Sequence, residues 1–196
     1  MSFVVVYDAN VLYPVELRDF LIRLANIGLF RAKWTDQILD ETFGAIVANR
    51  PELAERLAGT RQQMNEAVAD AIVTGYEPLV SSLDLPDLDD RHVLAAAIRS
   101  HAQVIVTFNL GDFPQRQLDP YDIEAQGPDE FALNVFGLAP ALVEGVIAQQ
   151  ASDLTNPRIS FQELLTRLET RGLQKLVQSI RECWQDTTDS RSPKPR

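Results

Sequence analysis

The chain has a single cysteine, Cys183, which excludes an internal disulfide framework and a cysteine-rich metal site. Its only histidines are His92 and His101, so a Cys/His nucleophilic mechanism is not expected, and both imidazoles read as structural or surface groups. Positive charge is also short. Eighteen basic residues face 28 acidic ones, for a net charge of −10 and a pI near 4.6. Proteins that coat nucleic acid without specificity are usually basic, so this balance counts against such a role. No apolar run approaches the roughly 20 residues that span a bilayer, and no membrane association is expected. The chain enters a strand at once, without the charged start and small-residue cleavage site of a signal peptide. A cytoplasmic location is therefore expected.

What is present describes an ordinary globular protein. Hydrophobic residues make up 45% of the chain and the mean hydropathy is −0.11. A length of 196 residues suffices for one α/β domain with an appendage. Charge is divided unevenly. Residues 1–150 carry 10 basic and 22 acidic side chains, whereas 151–196 carry 8 and 6. Bound divalent cations would offset part of the first excess, and the last stretch is the better candidate for touching a phosphate backbone.

Residues 3–7 read as a β-branched, buried strand. Helical spacing follows from Leu12 to about Gly28, with Pro14 in the first turn. Thr35 is expected to cap a helix over Asp36–Asn49, and Pro51 to open another that runs to about Asp70. Ile72-Val73-Thr74 and Glu77–Val80 look like a short strand and its exit, broken by Gly75. A helix over Asp90–Ser100, a strand over Val104–Thr107 and a last short strand over Ile123–Ala125 complete the alternation. Strands alternating with helices imply a mainly parallel sheet. Another helix starts near residue 128, and beyond Leu138 the pattern is helical only, with a capping box at Ser160–Glu163 and a final helix over Leu173–Trp184. Residues 185–196 read as a disordered tail.

Four acidic positions stand beside strand ends or helix starts. Asp8 closes the first strand, at the edge where open α/β sheets place ligands, and Asn10 follows as a neutral oxygen donor. An Asx-turn that merely ends the strand explains the same two residues. Glu41 sits close beside the stripe of Ile38, Leu39, Thr42 and Phe43; Asp40 is turned further out, and a solvated glutamate is the more ordinary state for Glu41. Asp84, Asp87, Asp89 and Asp90 crowd before a helix, where capping accounts for one or two of them but not all four. Asp87 and Asp90, three apart, share a face and repel unless they meet water or a cation. After the strand ending at Thr107 come Asn109 and Asp112, with Gly111 allowing a tight turn toward Asp8; a polar loop closed by Pro114 is the plainer explanation. Oxygen-rich sites of this kind hold Mg²⁺ or Mn²⁺.

The chain resembles the PIN domain family, nucleases that include the VapC-like toxins of prokaryotic toxin–antitoxin pairs. The resemblance rests on Val-Val-Tyr-Asp8-Ala-Asn10, Trp34 to Glu41, Asp87 to Ala97, and Val-Thr107-Phe-Asn109-Leu-Gly-Asp112-Phe-Pro114, in that order. It implies an α/β fold, a three-layer α/β/α domain with a mainly parallel sheet over residues 1–137. Residues 138–184 would then form a C-terminal helical extension. It further implies that Asp8, Glu41 and Asp90 match the family's first three acidic positions. Asn109 falls where many members carry aspartate, with Asp112 as the acid beside it and Asp87 as an additional ligand. Family members are typically Mg²⁺- or Mn²⁺-dependent endoribonucleases, often homodimeric, and inhibited by a cognate antitoxin protein.

On this reading Asp8, Glu41, Asp90 and Asp112 bind the metal, while Thr107 or Asn109 orients water or a ligand carboxylate. Two rivals remain open. An aspartyl phosphatase would want a second carboxylate at position 10 and a nearby lysine, whereas Asn10 stands there and residues 1–150 contain only Lys33. A non-catalytic PIN-like scaffold that binds RNA or protein draws its support from Asn109.

Overall fold

The computed structural model describes residues 2–189, with side chains through Trp184. The chain divides into two compact units, Met1–Pro128 and a second beginning at Asp129. The first contains a four-stranded, all-parallel sheet in the order β2-β1-β3-β4. Its strands are β1 (Phe3–Tyr7), β2 (Phe30–Lys33), β3 (Val104–Val106) and β4 (Glu124–Gln126). Val4 to Tyr7 and Val104 to Val106 are buried, as strands covered on both faces require.

The connections explain where a site can form. From β1 the chain passes through α1 (Ala9–Leu12) and α2 (Val15–Asn26) to β2. From β2 it returns past β1 to β3 through α3 (Asp36–Asn49), α4 (Ala54–Ala67), α5 (Glu77–Val80) and α6 (Arg91–Ser100). These crossovers run in opposite directions along the sheet, so the right-handed rule puts α2 and α6 on opposite faces. A three-layer α/β/α arrangement follows, with α7 (Gln115–Leu118) in the last crossover. The order of strands reverses between β1 and β3, and the crevice beyond their C-terminal ends is where such sheets bind ligands.

Several boundaries differ from those read in the sequence. Strand β2 was not expected, because Arg31 and Lys33 obscure the alternation; Phe30 and Ala32 point inward and Arg31 outward. The expected strand at Ile72 shrinks to one parallel bridge with Trp34, held by Trp34 N donating to Ala71 O at 3.0 Å and Val73 N to Trp34 O at 2.8 Å. Gly75, at φ 72°, ends it. Glu77–Val80 is a helical turn, since Pro78 is tolerated at a helix start. The helix expected from Leu12 is split, because Pro14 is extended (ψ 124°) and precedes α2. The helix expected from Pro51 begins as a 3₁₀ turn, Pro51–Leu53, and α4 stops at Ala67.

The second unit is helical: α8 (Pro128–Leu138), α9 (Pro140–Asp153), α10 (Phe161–Thr170) and α11 (Gln174–Asp189). Ser160 and Glu163 form the reciprocal capping box. The Asp129 carboxylate accepts from the amides of Lys175 and Leu176 at 2.9 and 3.0 Å, satisfying orphan donors at the start of α11. Phe161 stacks on Trp184 with ring centroids 4.8 Å apart. A division at 137/138 falls in the last turn of α8, whereas the compact units part after its first residue, Pro128. The helix α11 extends to Asp189, beyond the expected end at Trp184, because elongating a formed helix costs little even through polar residues. The rest of the expected tail, 190–196, lies outside the described residues. Among the described residues no single helix is long and apolar enough to cross a membrane.

Candidate active site

The register of the sheet sets the first half of the site. Tyr7 pairs with Val106, so the next residues, Asp8 and Thr107, leave adjacent strands side by side. The Asp8 amide donates to Val106 O at 3.1 Å. The residue is 4% exposed, and both its carboxylate oxygens accept from neighbours. Oδ1 accepts from the Ala9 amide at 2.6 Å; Oδ2 accepts from Asn10 Nδ2 and from the Thr107 hydroxyl, each at 2.6 Å. The Thr107 hydroxyl in turn accepts from Asn10 Nδ2 at 2.9 Å and the Asn109 amide at 3.0 Å. That exhausts its one donor and two acceptor sites. Asn10 Oδ1 accepts from the Phe108 amide at 3.0 Å. Asp8 therefore caps α1 and also anchors a network joining the ends of β1 and β3. Burial pushes its pKa up, opposed by the bonds from Thr107 and Ala9 and by His92, with Glu41 adding to the rise. A carboxylate offers about four lone-pair sites, so Oδ1 retains acceptor capacity.

The second half comes from α6 and the turn after β3. Asp90 stands at the N-cap of α6, yet its side chain makes no capping bond. Its Oδ2 is buried without a hydrogen-bond partner. Its pKa is raised to about 6, first by burial and then by Asp8, Asp87 and Asp112, with His92 opposing. Asp87 is exposed and accepts from the Asp89 amide at 2.9 Å, a local turn bond; Asp84 and Asp89 are exposed as well. Of the four acids, Asp90 is the one drawn inward. Asp112 is half-buried in the 3₁₀ turn Leu110–Asp112, its amide donating to Asn109 O at 3.0 Å. Asn109 is exposed.

Glu41 occupies the early part of α3, whose N-cap Thr35 accepts from Ile38 N at 3.0 Å. Ile38, Leu39, Thr42 and Phe43 are all buried, and Asp40 is turned outward to pair with Arg61. Glu41 is 43% exposed and accepts from Gln37 Nε2 at 3.1 Å and from His92 Nε2 at 3.0 Å. His92 follows Asp90 by two residues, where a regular helix would turn it away from the acids, yet it reaches Glu41. Asp90 precedes the first helical turn, so helical spacing does not fix the angle between them, and α3 lies where His92 emerges. His92 is 3% exposed with Nδ1 unpartnered, and it links α6 to Glu41.

Asp90 thus senses the charges of Asp8, Asp87 and Asp112, and Asp8 senses that of Glu41. Among the described residues no three Asp, Glu, His or Cys side chains close to metal-ligand distance. The donor set nonetheless fits a hard divalent cation: it is all oxygen, it has one orphaned buried carboxylate atom, and its like charges raise the pKa of Asp90. A cation between these groups would relieve both costs.

Comparison with known proteins adds the following. A family model described as PIN domain matches residues 4–111, and one described as VapC50 C-terminal domain matches residues 128–182. A Mycobacterium tuberculosis (strain ATCC 25618 / H37Rv) protein named "Putative ribonuclease VapC50" is 35% identical over 118 residues, covering 60% of this chain and 69% of that protein. No solved structure matches the chain.

Proposed function

The chain belongs to the PIN domain family, and from that premise we propose that it is a divalent-metal-dependent endoribonuclease, the toxin of a toxin–antitoxin pair. The observation that carries the proposal is the buried, unpartnered Asp90 Oδ2, on a carboxylate within electrostatic reach of Asp8 and Asp112. Asp8, Glu41, Asp90 and Asp112 would hold one or two Mg²⁺ or Mn²⁺ ions, with Asp87 as a further donor. When bound, such an ion supplies an acidified water and offsets charge on the scissile phosphate.

The chain's own residues have distinct parts. Asn10 and Thr107 both donate to Asp8 Oδ2 and fix the carboxylate, leaving Oδ1, bonded only to the Ala9 amide, as the freer oxygen. His92 steadies Glu41 from behind, as supports of ligand carboxylates commonly do. The Asn109 amide bonds Thr107, leaving its side chain at the surface to orient water or the phosphate. No covalent nucleophile is required. We further propose a nuclease domain over residues 1–137 with residues 138–184 as its helical extension, a cytoplasmic location, a cognate antitoxin and a homodimer.

A non-catalytic scaffold is the second reading, favoured by Asn109 standing where many family members carry an acid. Cleavage of a mixed structured RNA pool with Mg²⁺, Mn²⁺ or EDTA separates the two. The nuclease reading expects metal-dependent cutting that Asp8→Asn lowers by about two orders of magnitude, the scale of removing one key electrostatic group. Cutting that survives EDTA, or is unchanged in a folded Asp8→Asn protein, would sink it.

A further inference from the structure

Beside the acids lies a shallow cleft of about 390 Å³ lined by Ala9, Asn10, Tyr13, Glu41, Thr42 and Ala45. Of its lining, only Asn10 and Glu41 have a part in the proposed hydrolysis. Its lining combines small residues, Ala9, Thr42 and Ala45, with one aromatic residue, Tyr13, which is 40% exposed. That residue is fixed at both ends. Its hydroxyl accepts from Asn49 Nδ2 at 3.2 Å. Its backbone is held by Arg18, a buried guanidinium whose Nη1 donates to Leu12 O at 2.7 Å and Tyr13 O at 3.3 Å. Arg18 also lies over the Phe43 ring at 5.7 Å, which ties the Tyr13 turn to α3. An aromatic residue left half in water, yet with its hydroxyl tethered by Asn49 and its backbone held by a buried guanidinium, is a preorganised platform rather than a core residue that failed to pack.

The geometry points to a nucleobase subsite in this cleft, with Tyr13 as its stacking surface, an inference that rests on the ribonuclease reading above. Two features favour a base over a protein side chain. Asn10 and Glu41 line the cleft and also belong to the acidic site, so a nucleotide lying here is contiguous with a phosphate at the acids. An apolar side chain would bury the exposed edge of the Glu41 carboxylate without replacing its water, which costs free energy. A base brings a flat face for the ring and polar edges for that carboxylate. Proteins read single-stranded RNA in this way, by stacking unpaired bases on aromatic side chains. An acidic protein has particular need of such contacts, because its field opposes phosphate binding.

The test is fluorescence anisotropy in an Asp8→Asn background with Mg²⁺. The probes are a fluorescein-labelled mixed-sequence RNA decamer and the same backbone made of abasic riboses. Tyr13→Ala and Ala45→Phe, the second filling the cleft from an exposed helix position, should each weaken decamer binding about tenfold. Both should leave abasic binding unchanged, and Tyr13→Phe should stay within about twofold of the parent. Equal decamer affinity in all variants overturns the subsite. Failure of the decamer to bind, or equal weakening on both probes, also overturns it. The wild-type cleavage assay keeps the two readings apart. Metal-dependent cutting with unaffected variants removes the subsite alone, and no cutting with the expected binding pattern removes the nuclease alone.

Discussion

At the scale of single residues, Asp90 carries the clearest energetic signature. Its carboxyl titrates near 6 in the folded chain against an ordinary 3.8, because burial and the charges of Asp8, Asp87 and Asp112 disfavour ionisation. An acid whose folded pKa is raised binds its proton more tightly when folded. Its contribution to stability therefore falls as pH rises from about 4 to about 6, and the penalty is complete above that. Asp90 is partly exposed, so solvent screening reduces the penalty to on the order of 1 kcal/mol. Asp90→Asn should raise the Tm of the metal-free protein at neutral pH by about 2–4 °C, with the gain vanishing near pH 4. Calorimetric scans across pH check this. A Tm gain that persists undiminished at low pH would show that the charge is not its source.

At the scale of elements, α3 is the scaffold for Glu41, and its start rests on one side chain. Thr35 is fully buried and caps Ile38 N at 3.0 Å. Thr35→Ala should cost about 1–2 kcal/mol and Thr35→Ser much less, measured by denaturant unfolding. Equal costs would assign the loss to the methyl group instead of the cap. This helix was legible in the sequence because cap, apolar stripe and length all agreed. So were β1 and β3, whose β-branched runs are buried on both faces. Strand β2 was not, since Arg31 and Lys33 are tolerated at a sheet edge and mask the alternation of Phe30 and Ala32. The break at Pro14 was missed because a proline fits a first helical turn as readily as the residue before one. The places of the acids, beside strand ends or in the early turns of helices, were legible as well. Which of four clustered aspartates turns inward was not, because neighbouring residues differ only in the packing around them. For the same reason, His92 as the partner of Glu41 and the immobilised Tyr13 were visible only once α3 and α6 were in place.

At the scale of the whole molecule, charge is the governing property. A chain of net charge −10 repels RNA at long range, so affinity must come from short-range contacts and from cations held among the acids. The acid-rich stretch, residues 1–150, contains every proposed ligand, and residues 151–196 are the less repulsive part. The account therefore stands or falls on whether these carboxylates bind a divalent ion, a question that does not require the right RNA to be in hand. The most direct measurement is calorimetric titration of Mn²⁺ into the wild-type protein and into Asp90→Asn. The account predicts saturable binding of one or two ions per chain, weakened about tenfold or more in the variant. No binding to the wild type at millimolar Mn²⁺, or equal affinity in both proteins, would contradict it.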